Sequence, residues 1–266
     1  MRTFIVDAFT DRPFRGNPAG VCLVDTELPD EAMSRIAKEL NATMTAFVLA
    51  LADSGRFAIR YFSPKQELPL CGHATLGAAR VAFDTLGIGE SRFLTHAGLD
   101  LATQTTAEAV RMSLPAFSTR PSEAPPALLA ALGIGAIRKA AYNEENRMLL
   151  LEIADSDELA GLRPDFAALL ASRTGIIGVV VTARAKNGPY DFHSRYFWPW
   201  AGTNEDPATG STHTFLTGYW SERLGKTKLK AYQASERSGF MDVELCDGRV
   251  MIQSQAIIVL EGRLRT

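Results

Sequence analysis

The chain has 266 residues, of which 46% are hydrophobic and 22% charged, and its formal net charge at pH 7 is −2. This length and composition are those of a folded protein that can bury a sizeable core. Because the sequence is slightly acidic and contains no run of lysine or arginine, neither nucleic acid nor an anionic membrane is an expected partner. Small molecules and other proteins remain as partners.

The N-terminal sequence and the cysteines predict a cytoplasmic protein. Asp7 interrupts the first apolar residues, which lack the core of a signal peptide. The apolar run 127–137 is much shorter than the roughly 18 residues that a membrane span requires. Cys22, Cys71 and Cys246 are few and widely spaced, which favours reduced thiols over a disulfide framework.

The first part of the chain is predicted to be rich in strands. Alternating apolar residues indicate strands, and apolar residues at helical spacing indicate helices. Residues 10–20 are dense in turn formers and predict a loop. In chain order we predict strands at 3–9 and 21–24, a helix at 29–40, strands at 46–51 and 56–62, a helix at 72–86, and strands at 91–96, 99–105 and 109–115.

Three prolines within 118–126 mark the best linker and predict two halves, 1–118 and 119–266. The second half is again rich in strands. In chain order we predict a helix at 126–132, strands at 138–142 and 147–153, helical turns at 156–173, strands at 176–184 and 190–198, a helix at 210–224, and strands at 228–233, 240–246, 249–254 and 256–261.

The two halves share a repeated pattern. The signature RYFxP occurs at 60–64 and again at 195–199, and each copy precedes a glycine turn, at Gly72 and Gly210. We expect each glycine to open a helix of the same length that ends at a second glycine. Both helices are small and apolar on most faces, which favours burial on nearly all sides. The predicted fold is therefore α+β, with two pseudo-symmetric halves that each curl a mixed β-sheet around a central α-helix.

The paired glycine turns are candidate anion sites. Free N–H groups and the helix dipole favour a carboxylate where a helix begins, so Gly72, His73, Gly210 and Ser211 are candidates for holding one. Cys71 and His73 lie on the same turn, and both side chains can exchange a proton near neutral pH. The alternative is that the turns are two tightly packed junctions without a ligand.

The chain resembles the phenazine-biosynthesis PhzF-like family, whose relatives include diaminopimelate epimerase. The resemblance implies a diaminopimelate epimerase-like fold, an active site in the cleft where the two helix N-termini face each other, isomerase chemistry without a cofactor or metal, and often a homodimer. The matching stretches are VDAFT at 6–10, FRGNPAGV at 14–21, LCGHAT at 70–75, EDPATGS at 205–211 and AYQAS at 231–235.

The resemblance also exposes a departure. Family members carry a glutamate, in a Ser-Glu-Thr stretch, that moves a proton on the substrate, and Met44 stands at that position here. A thioether cannot accept this proton. Racemases of the wider fold use two cysteines, and Cys71 matches the first, but aligning Gly72 with Gly210 places Thr209 at the second.

Each remaining candidate has a functional and a structural interpretation. His73 is an acid or base, or a satisfied buried histidine; Asp206 is a proton shuttle, or a carboxylate at a helix start. Asn17 contacts substrate, or holds its own turn. Cys71 is interpreted mainly as a small packing residue, and Met44 as part of an apolar site wall. His213, like the other histidines outside the turn, is expected to be structural.

The sequence supports two functions. The first is a cofactor-independent isomerase or epimerase of a small carboxylate-bearing metabolite, in which His73 and Asp206 exchange the proton with possible help from Cys71. The second is a catalytically silent relative that binds a small anion or a partner protein, motivated by Met44. A third interpretation, that Met44 was introduced into an otherwise active enzyme, stays open.

Overall fold

A computed structural model describes residues 1–265 and has an α+β fold, as the sequence predicts. The chain divides into two compact units, one formed by Met1–Leu114 with the residues from Met251 onward, and one formed by Pro115–Val250. The predicted halves meet at residues 118 and 119, close to this division. They do not anticipate that the C-terminal strand belongs with the first unit, where it pairs with the N-terminal strand.

Residues 1–265 form eighteen strands and six α-helices. In chain order they are β1 (Arg2–Ala8), β2 (Asn17–Val24), α1 (Asp30–Leu40), β3 (Met44–Ala50), β4 (Arg56–Phe62), β5 (Glu67–Leu68), α2 (Gly72–Leu86), β6 (Glu90–Thr95), β7 (Asp100–Thr105), β8 (Val110–Pro115), β9 (Arg120–Pro121), α3 (Pro126–Leu132), β10 (Lys139–Asn143), β11 (Met148–Glu152), α4 (Ser156–Gly161), α5 (Phe166–Ser172), β12 (Gly178–Arg184), β13 (Phe192–Trp198), a 3-10 turn (Pro199–Ala201), β14 (Thr203–Asp206), α6 (His213–Leu224), β15 (Lys228–Gln233), β16 (Gly239–Cys246), β17 (Arg249–Ser254) and β18 (Ala256–Arg263). No helix within this part of the chain has both the length and the apolar character needed to cross a bilayer.

In the first unit, strands surround the helix α2. Strand β1 pairs antiparallel with β18 and β2, β2 runs parallel to β3, and β3 pairs antiparallel with β4. Strand β4 pairs antiparallel with β5 and parallel with β6, and β7 and β8 continue antiparallel. Helix α2 packs against β1, β2, β3, β6, β7 and β18, and every residue from Gly72 to Ala82 is buried. Its small residues permit this enclosure.

The second unit repeats the same order of strand pairs. Strands β10 and β11 are antiparallel, β11 and β12 parallel, and β12 and β13 antiparallel. Strand β13 then pairs antiparallel with the short β14 and parallel with β15, and β16 follows antiparallel. Helix α6 packs against β15 and β16. The repeated signature in the sequence thus corresponds to a repeated topology.

The second helix begins later than predicted. Helix α2 starts at Gly72 and ends before Gly87 as expected, but α6 starts at His213 instead of Gly210. The Thr212 hydroxyl and the His213 ring both donate to the carbonyl of Thr209, and the Thr214 hydroxyl donates to the carbonyl of Ser211. Side-chain donors therefore occupy carbonyls that an α-helix would use, and a tighter turn replaces the first helical turn.

The repeated arginine explains much of the RYFxP signature. Arg60 donates two hydrogen bonds to the carboxylate of Glu67, at 2.8 and 2.7 Å. Arg195 makes the same two-pronged contact with Glu205, both at 2.8 Å. We call each of these two-bond contacts an arginine–glutamate fork. Each fork joins the strand that carries the signature, β4 or β13, to the short strand before the glycine turn, β5 or β14.

The fork in the second unit is the more deeply buried. Arg195 is 6% exposed, and its remaining nitrogen donates to the carbonyls of Leu162 at 2.8 Å and Leu159 at 3.3 Å. In the first unit, Arg60 instead donates to the exposed carboxylate of Asp30 at 2.7 Å. Burial and carbonyl acceptors make Arg195 the harder residue to replace, because a lysine cannot reproduce the planar fork.

We predict that Arg195→Lys lowers the free energy of unfolding by about 2 kcal/mol. Arg60→Lys should lower the free energy of unfolding by less, because the Arg60 side chain is more exposed to solvent than that of Arg195. The control is Arg2→Lys, which alters an exposed pair with Glu261 and should change stability by less than about 0.5 kcal/mol. Urea denaturation at neutral pH measures all three variants. Equal losses in Arg195→Lys and Arg2→Lys would contradict a structural role for the buried fork.

Candidate active site

A strand, and not a loop, carries Asn17 into the site. The sequence predicts a loop over 10–20, but β2 already begins at Asn17, which pairs with Ala8 of β1. Gly16 has a φ of +64°, and a Cβ there would lie 2.1 Å from the carbonyl oxygen of Ala8. Only glycine permits this close approach. The turn therefore fixes Asn17, which is fully buried, at the start of a paired strand.

Four side chains of the first unit form what we call the His73 cluster: Asn17, Thr43, Cys71 and His73. The Asn17 amide nitrogen lies 3.3 Å from His73 Nδ1, and the Thr43 hydroxyl lies 3.1 Å from His73 Nε2. The Cys71 sulfur lies 3.3 Å from Nδ1. His73 is the second residue of α2, and Cys71 is its N-cap. The structure thus brings three predicted site residues together and adds Thr43.

The hydrogen bonds of the cluster are consistent with one tautomer of His73. The Asn17 amide nitrogen can only donate, so Nδ1 accepts and Nε2 carries the proton. Nε2–H then donates to the Thr43 hydroxyl. That hydroxyl has one proton, which it donates either to the carbonyl of Pro18 at 2.6 Å or to the side-chain oxygen of Asn17 at 2.7 Å. His73 is therefore held as a neutral ring with a lone pair at Nδ1, beside the Cys71 thiol.

Burial determines the charge of His73. The side chain is 8% exposed, and burial lowers the pKa of His73 from its ordinary 6.5 to about 3. The ring is neutral across the physiological range and resists protonation as long as no anion is close. A bound carboxylate would favour the imidazolium and raise this pKa. The free site is thus poised to gain basicity when an anion binds.

Met44 directly follows Thr43 of this cluster in the chain, but its side chain cannot accept a proton. It is the first residue of β3, pairs with Ala19 of β2 and is 2% exposed. The preceding residue, Thr43, is the one that contacts His73. A buried thioether provides no proton acceptor of the strength that a carboxylate would. Met44 is therefore a packing residue at this position.

The second unit contains what we call the Asp206 cluster: Asp206, Thr209, His213 and Gln233. The Thr209 hydroxyl donates to an Asp206 carboxylate oxygen at 2.5 Å. Gln233 accepts from the Thr209 amide at 2.9 Å and donates to the Asp206 carbonyl at 2.7 Å. Asp206 is 5% exposed and lies at the end of β14. Its carboxylate is therefore fixed by the turn that follows it.

Gly210 and Ser211 form the turn between this carboxylate and α6. Gly210 is buried and its carbonyl accepts the amide of His213 at 3.1 Å, while Ser211 is half-buried. Gly72 is the buried first residue of α2. The N-cap Cys71 makes no side-chain capping bond and the first turn of α2 contains no acidic residue. The first amides of α2 therefore favour an anion.

Sequence reasoning passes over several residues of the site. Gln233 lies within the AYQAS stretch and Thr43 directly precedes Met44, yet the sequence assigns neither residue a role. The sequence marks Thr209 only as the residue opposite Cys71. Their roles depend on contacts that bring distant segments together, which spacing in one segment does not reveal. Among residues 1–265, no group of three or more His, Cys, Asp or Glu side chains is arranged to hold a metal ion.

A repeated unit of mixed strands, with buried titratable side chains beside its long helix, places the chain in the diaminopimelate epimerase-like class of folds. The family model described as "Phenazine biosynthesis-like protein" matches residues 6–262. The chain therefore belongs to the phenazine biosynthesis-like (PhzF) family.

Individual relatives agree with this assignment. The chain is 40% identical to Phenazine biosynthesis-like domain-containing protein 1 of Mus musculus, covering 98% of each. It is 41% identical to an uncharacterized isomerase of Pseudomonas aeruginosa, covering 98% of this chain and 97% of that protein. A solved PhzF family protein of Enterococcus faecalis matches with a TM-score of 0.92 and 36% identity, covering 100% of this chain and 99% of that one. A probable proline racemase of Agrobacterium radiobacter, at 12% identity and a TM-score of 0.63, shares the fold.

The lowered pKa of His73 predicts a pH dependence of stability. Below pH 6.5 the unfolded chain binds a proton that folded His73 does not take up until about pH 3, so the wild type loses stability as the pH falls through this window. We expect His73→Asn to remove that contribution. For each pH unit below 6.5, the unfolding free energy of the wild type should fall by up to about 1.4 kcal/mol relative to that of the variant.

Urea denaturation of both proteins at several pH values between 4 and 8 measures this difference. His213 titrates in the same window in both proteins, since burial lowers its pKa to about 4, so its contribution cancels. A difference that stays constant from pH 8 to pH 4 would show that His73 titrates normally in the folded protein.

Proposed function

We propose that this protein is an isomerase or epimerase that moves a proton on a small carboxylate-bearing metabolite without a cofactor. The observation that carries the proposal is the neutral, buried His73, held with its Nδ1 lone pair beside Cys71 where α2 begins. The bacterial relative named an isomerase supports the reaction class. We extend the proposal to a cytoplasmic location, which the free cysteines favour, and to a homodimer, on family resemblance alone.

The first step is capture of the carboxylate. We assign this role to the amides at Gly72 and His73, and we propose the turn at Gly210 and Ser211 as the corresponding anion site of the second unit. The start of α2 has no acidic side chain and no side-chain cap, which leaves its dipole available to an anion. Asn17 adds an amide that touches His73 and completes the polar lining.

The second step is proton transfer. The negative charge of the bound acid raises the pKa of His73, so that Nδ1 releases the Asn17 amide and accepts a proton from the substrate carbon. Breaking that C–H bond leaves the electron pair on the substrate, where the adjoining carboxylate or unsaturation delocalises it. Asp206, held by the Thr209 hydroxyl, enters the cycle as the neutral carboxylic acid and gives its proton to the second carbon or to the opposite face. Exchange with solvent then returns a proton to the Asp206 carboxylate and removes the proton from the His73 imidazolium. We assign Cys71 a supporting role in relaying the proton to His73.

Met44 makes His73 the principal base in this scheme. The family resemblance implies a glutamate at this position, where this chain has a buried thioether. The proposal therefore assigns Met44 to the apolar wall of the site, where it excludes water from the reacting carbon.

Deuterium incorporation from heavy water into a panel of amino and unsaturated carboxylic acids tests the reaction. The wild type should label at least one of them, and His73→Gln or Asp206→Asn should slow labelling by at least about 100-fold. The control is Cys246→Ser, which alters an exposed cysteine and should label at the wild-type rate. Labelling that survives both substitutions would overturn the assigned roles.

Restoring the carboxylate at position 44 tests how the site has changed. We expect Met44→Glu to raise the labelling rate by about tenfold or more if the surrounding site still fits the family reaction. Met44→Gln is the matched control, because it has the same shape without a basic oxygen, and it should give no gain. An equal effect of both substitutions would mean that polarity or size at position 44, and not proton transfer, limits the reaction.

Met44, at the position where the family resemblance implies a glutamate, also favours a second candidate function, a silent relative that binds a small anion or a partner. In that case the wild type would label no acid in the panel yet would bind one measurably by calorimetry. Gain of labelling in Met44→Glu alone would then identify the missing carboxylate as the only defect.

A further inference from the structure

Six buried side-chain polar atoms of the second unit lack a hydrogen-bond partner among residues 1–265. Three of them are the Ser194 hydroxyl, the Tyr196 hydroxyl and His213 Nε2. Their side chains are buried almost completely, at 1%, 2% and 1% exposed respectively. Leaving even one such atom unpaired is costly, because it gives up its bonds to water on folding. Each of the three therefore calls for a partner.

The three side chains lie on two elements of the second unit that face each other. Phe192, Ser194 and Tyr196 alternate along β13, whose pairing with β12 is regular there, so they share one face of the strand. The Phe192 ring lies 5.9 Å from the His213 ring and stacks on Trp220 at 5.5 Å. This face of β13 therefore meets α6 at His213, and Ser194 and Tyr196 point to the same side.

The hydrogen bond of the other ring nitrogen fixes what Nε2 needs. His213 Nδ1 lies 2.9 Å from the carbonyl oxygen of Thr209. A carbonyl can only accept, so Nδ1 carries the proton and Nε2 presents a lone pair. Burial keeps the ring neutral by lowering its pKa. The missing partner of Nε2 is therefore a donor.

The first unit has a closed version of the same arrangement. There the Tyr61 hydroxyl lies 2.5 Å from the Thr75 hydroxyl, which donates to the carbonyl of Cys71 at 2.7 Å. Aligning the RYFxP copies matches Tyr61 with Tyr196, and aligning Gly72 with Gly210 matches Thr75 with His213. In both units the residue on the helix bonds the carbonyl of the residue before the glycine. Only in the second unit do the tyrosine and its counterpart lack a direct bond.

We propose that one buried water molecule binds between the Ser194 hydroxyl, the Tyr196 hydroxyl and His213 Nε2. The water donates to Nε2 and exchanges hydrogen bonds with the two hydroxyls, which gives it three polar partners, the usual number for a buried water. By fixing the His213 ring, it fixes the Thr209 carbonyl, and with it the Thr209 hydroxyl that holds the Asp206 carboxylate.

Ser194, Tyr196 and His213 are thus positioning residues for Asp206. That catalytic consequence rests on the proposed function, whereas the water site itself does not.

A crystal structure of the full chain, at a resolution that defines ordered waters, tests the site directly. The proposal expects a water within about 2.6–3.2 Å of all three atoms. A direct bond from Tyr196 to Nε2, or no ordered water at this position, would overturn it.

Substitutions test whether the three atoms are satisfied. If the water binds, Tyr196→Phe removes one of its partners and should lower the folding equilibrium constant by about tenfold. If the Tyr196 hydroxyl is unpaired, the same substitution should leave stability unchanged or raise it, which would contradict the proposal. Tyr61→Phe is the matched comparison, because its hydroxyl has a direct partner, and it should cost a similar factor.

A double-mutant cycle tests whether the atoms share one partner. His213→Asn keeps a donor for the Thr209 carbonyl but loses Nε2, so Tyr196→Phe should cost less in its presence than alone. Strictly additive losses would mean that the two residues do not share a water.

The positioning role has its own measurement. Tyr196→Phe should slow deuterium labelling of a carboxylic acid substrate by about tenfold at saturation and leave KM unchanged, since it displaces Asp206 without touching the anion site. Unchanged labelling would refute the positioning role. Absence of labelling in the wild type would refute the proposed function instead. The crystal structure and the double-mutant cycle would still test the water site.

Discussion

The burial of His73 as a neutral ring is the constraint on which the candidate site depends. An imidazole removed from water cannot hold a charge without a compensating anion, so burial alone lowers its pKa to about 3. Asn17 and Thr43 occupy its two nitrogens in a way that selects one tautomer. The Nδ1 lone pair, which accepts from Asn17 in the free protein, becomes more basic when negative charge arrives. In the proposed function, this dependence couples proton transfer to the binding of an acid.

Duplication explains how the two clusters came to be built alike and yet differ chemically. Both units repeat the same order of strand pairs and the same arginine–glutamate fork ahead of the glycine turn. On this common frame the first unit presents Cys71 and His73, and the second presents Thr209 and Ser211. The first set offers a nitrogen base, whereas the second fixes a carboxylate, Asp206, through a threonine hydroxyl. One scaffold thus carries a buried imidazole in the first unit and a buried carboxylate in the second.

The sequence predicts the fold well and the site in part. The repeated RYFxP signature and the helix from Gly72 both correspond to features of the structure, because local pattern and duplication are visible in one dimension. The late start of α6 escapes prediction, since it depends on threonine hydroxyls and a ring that compete for backbone carbonyls. Pairing of β18 with β1 and the contacts of Thr43 and Gln233 join segments far apart in the chain. No spacing rule within one segment could have identified them.

The nitrogen-15 chemical shifts of the His73 ring, followed against pH with and without a saturating small carboxylate, test the central claim most directly. The account predicts that the free protein keeps the neutral ring with the proton on Nε2 far below pH 6.5. It also predicts that the carboxylate moves the titration upward by at least about one pH unit. A free ring that titrates near pH 6.5, or a midpoint that bound carboxylate leaves in place, would contradict it.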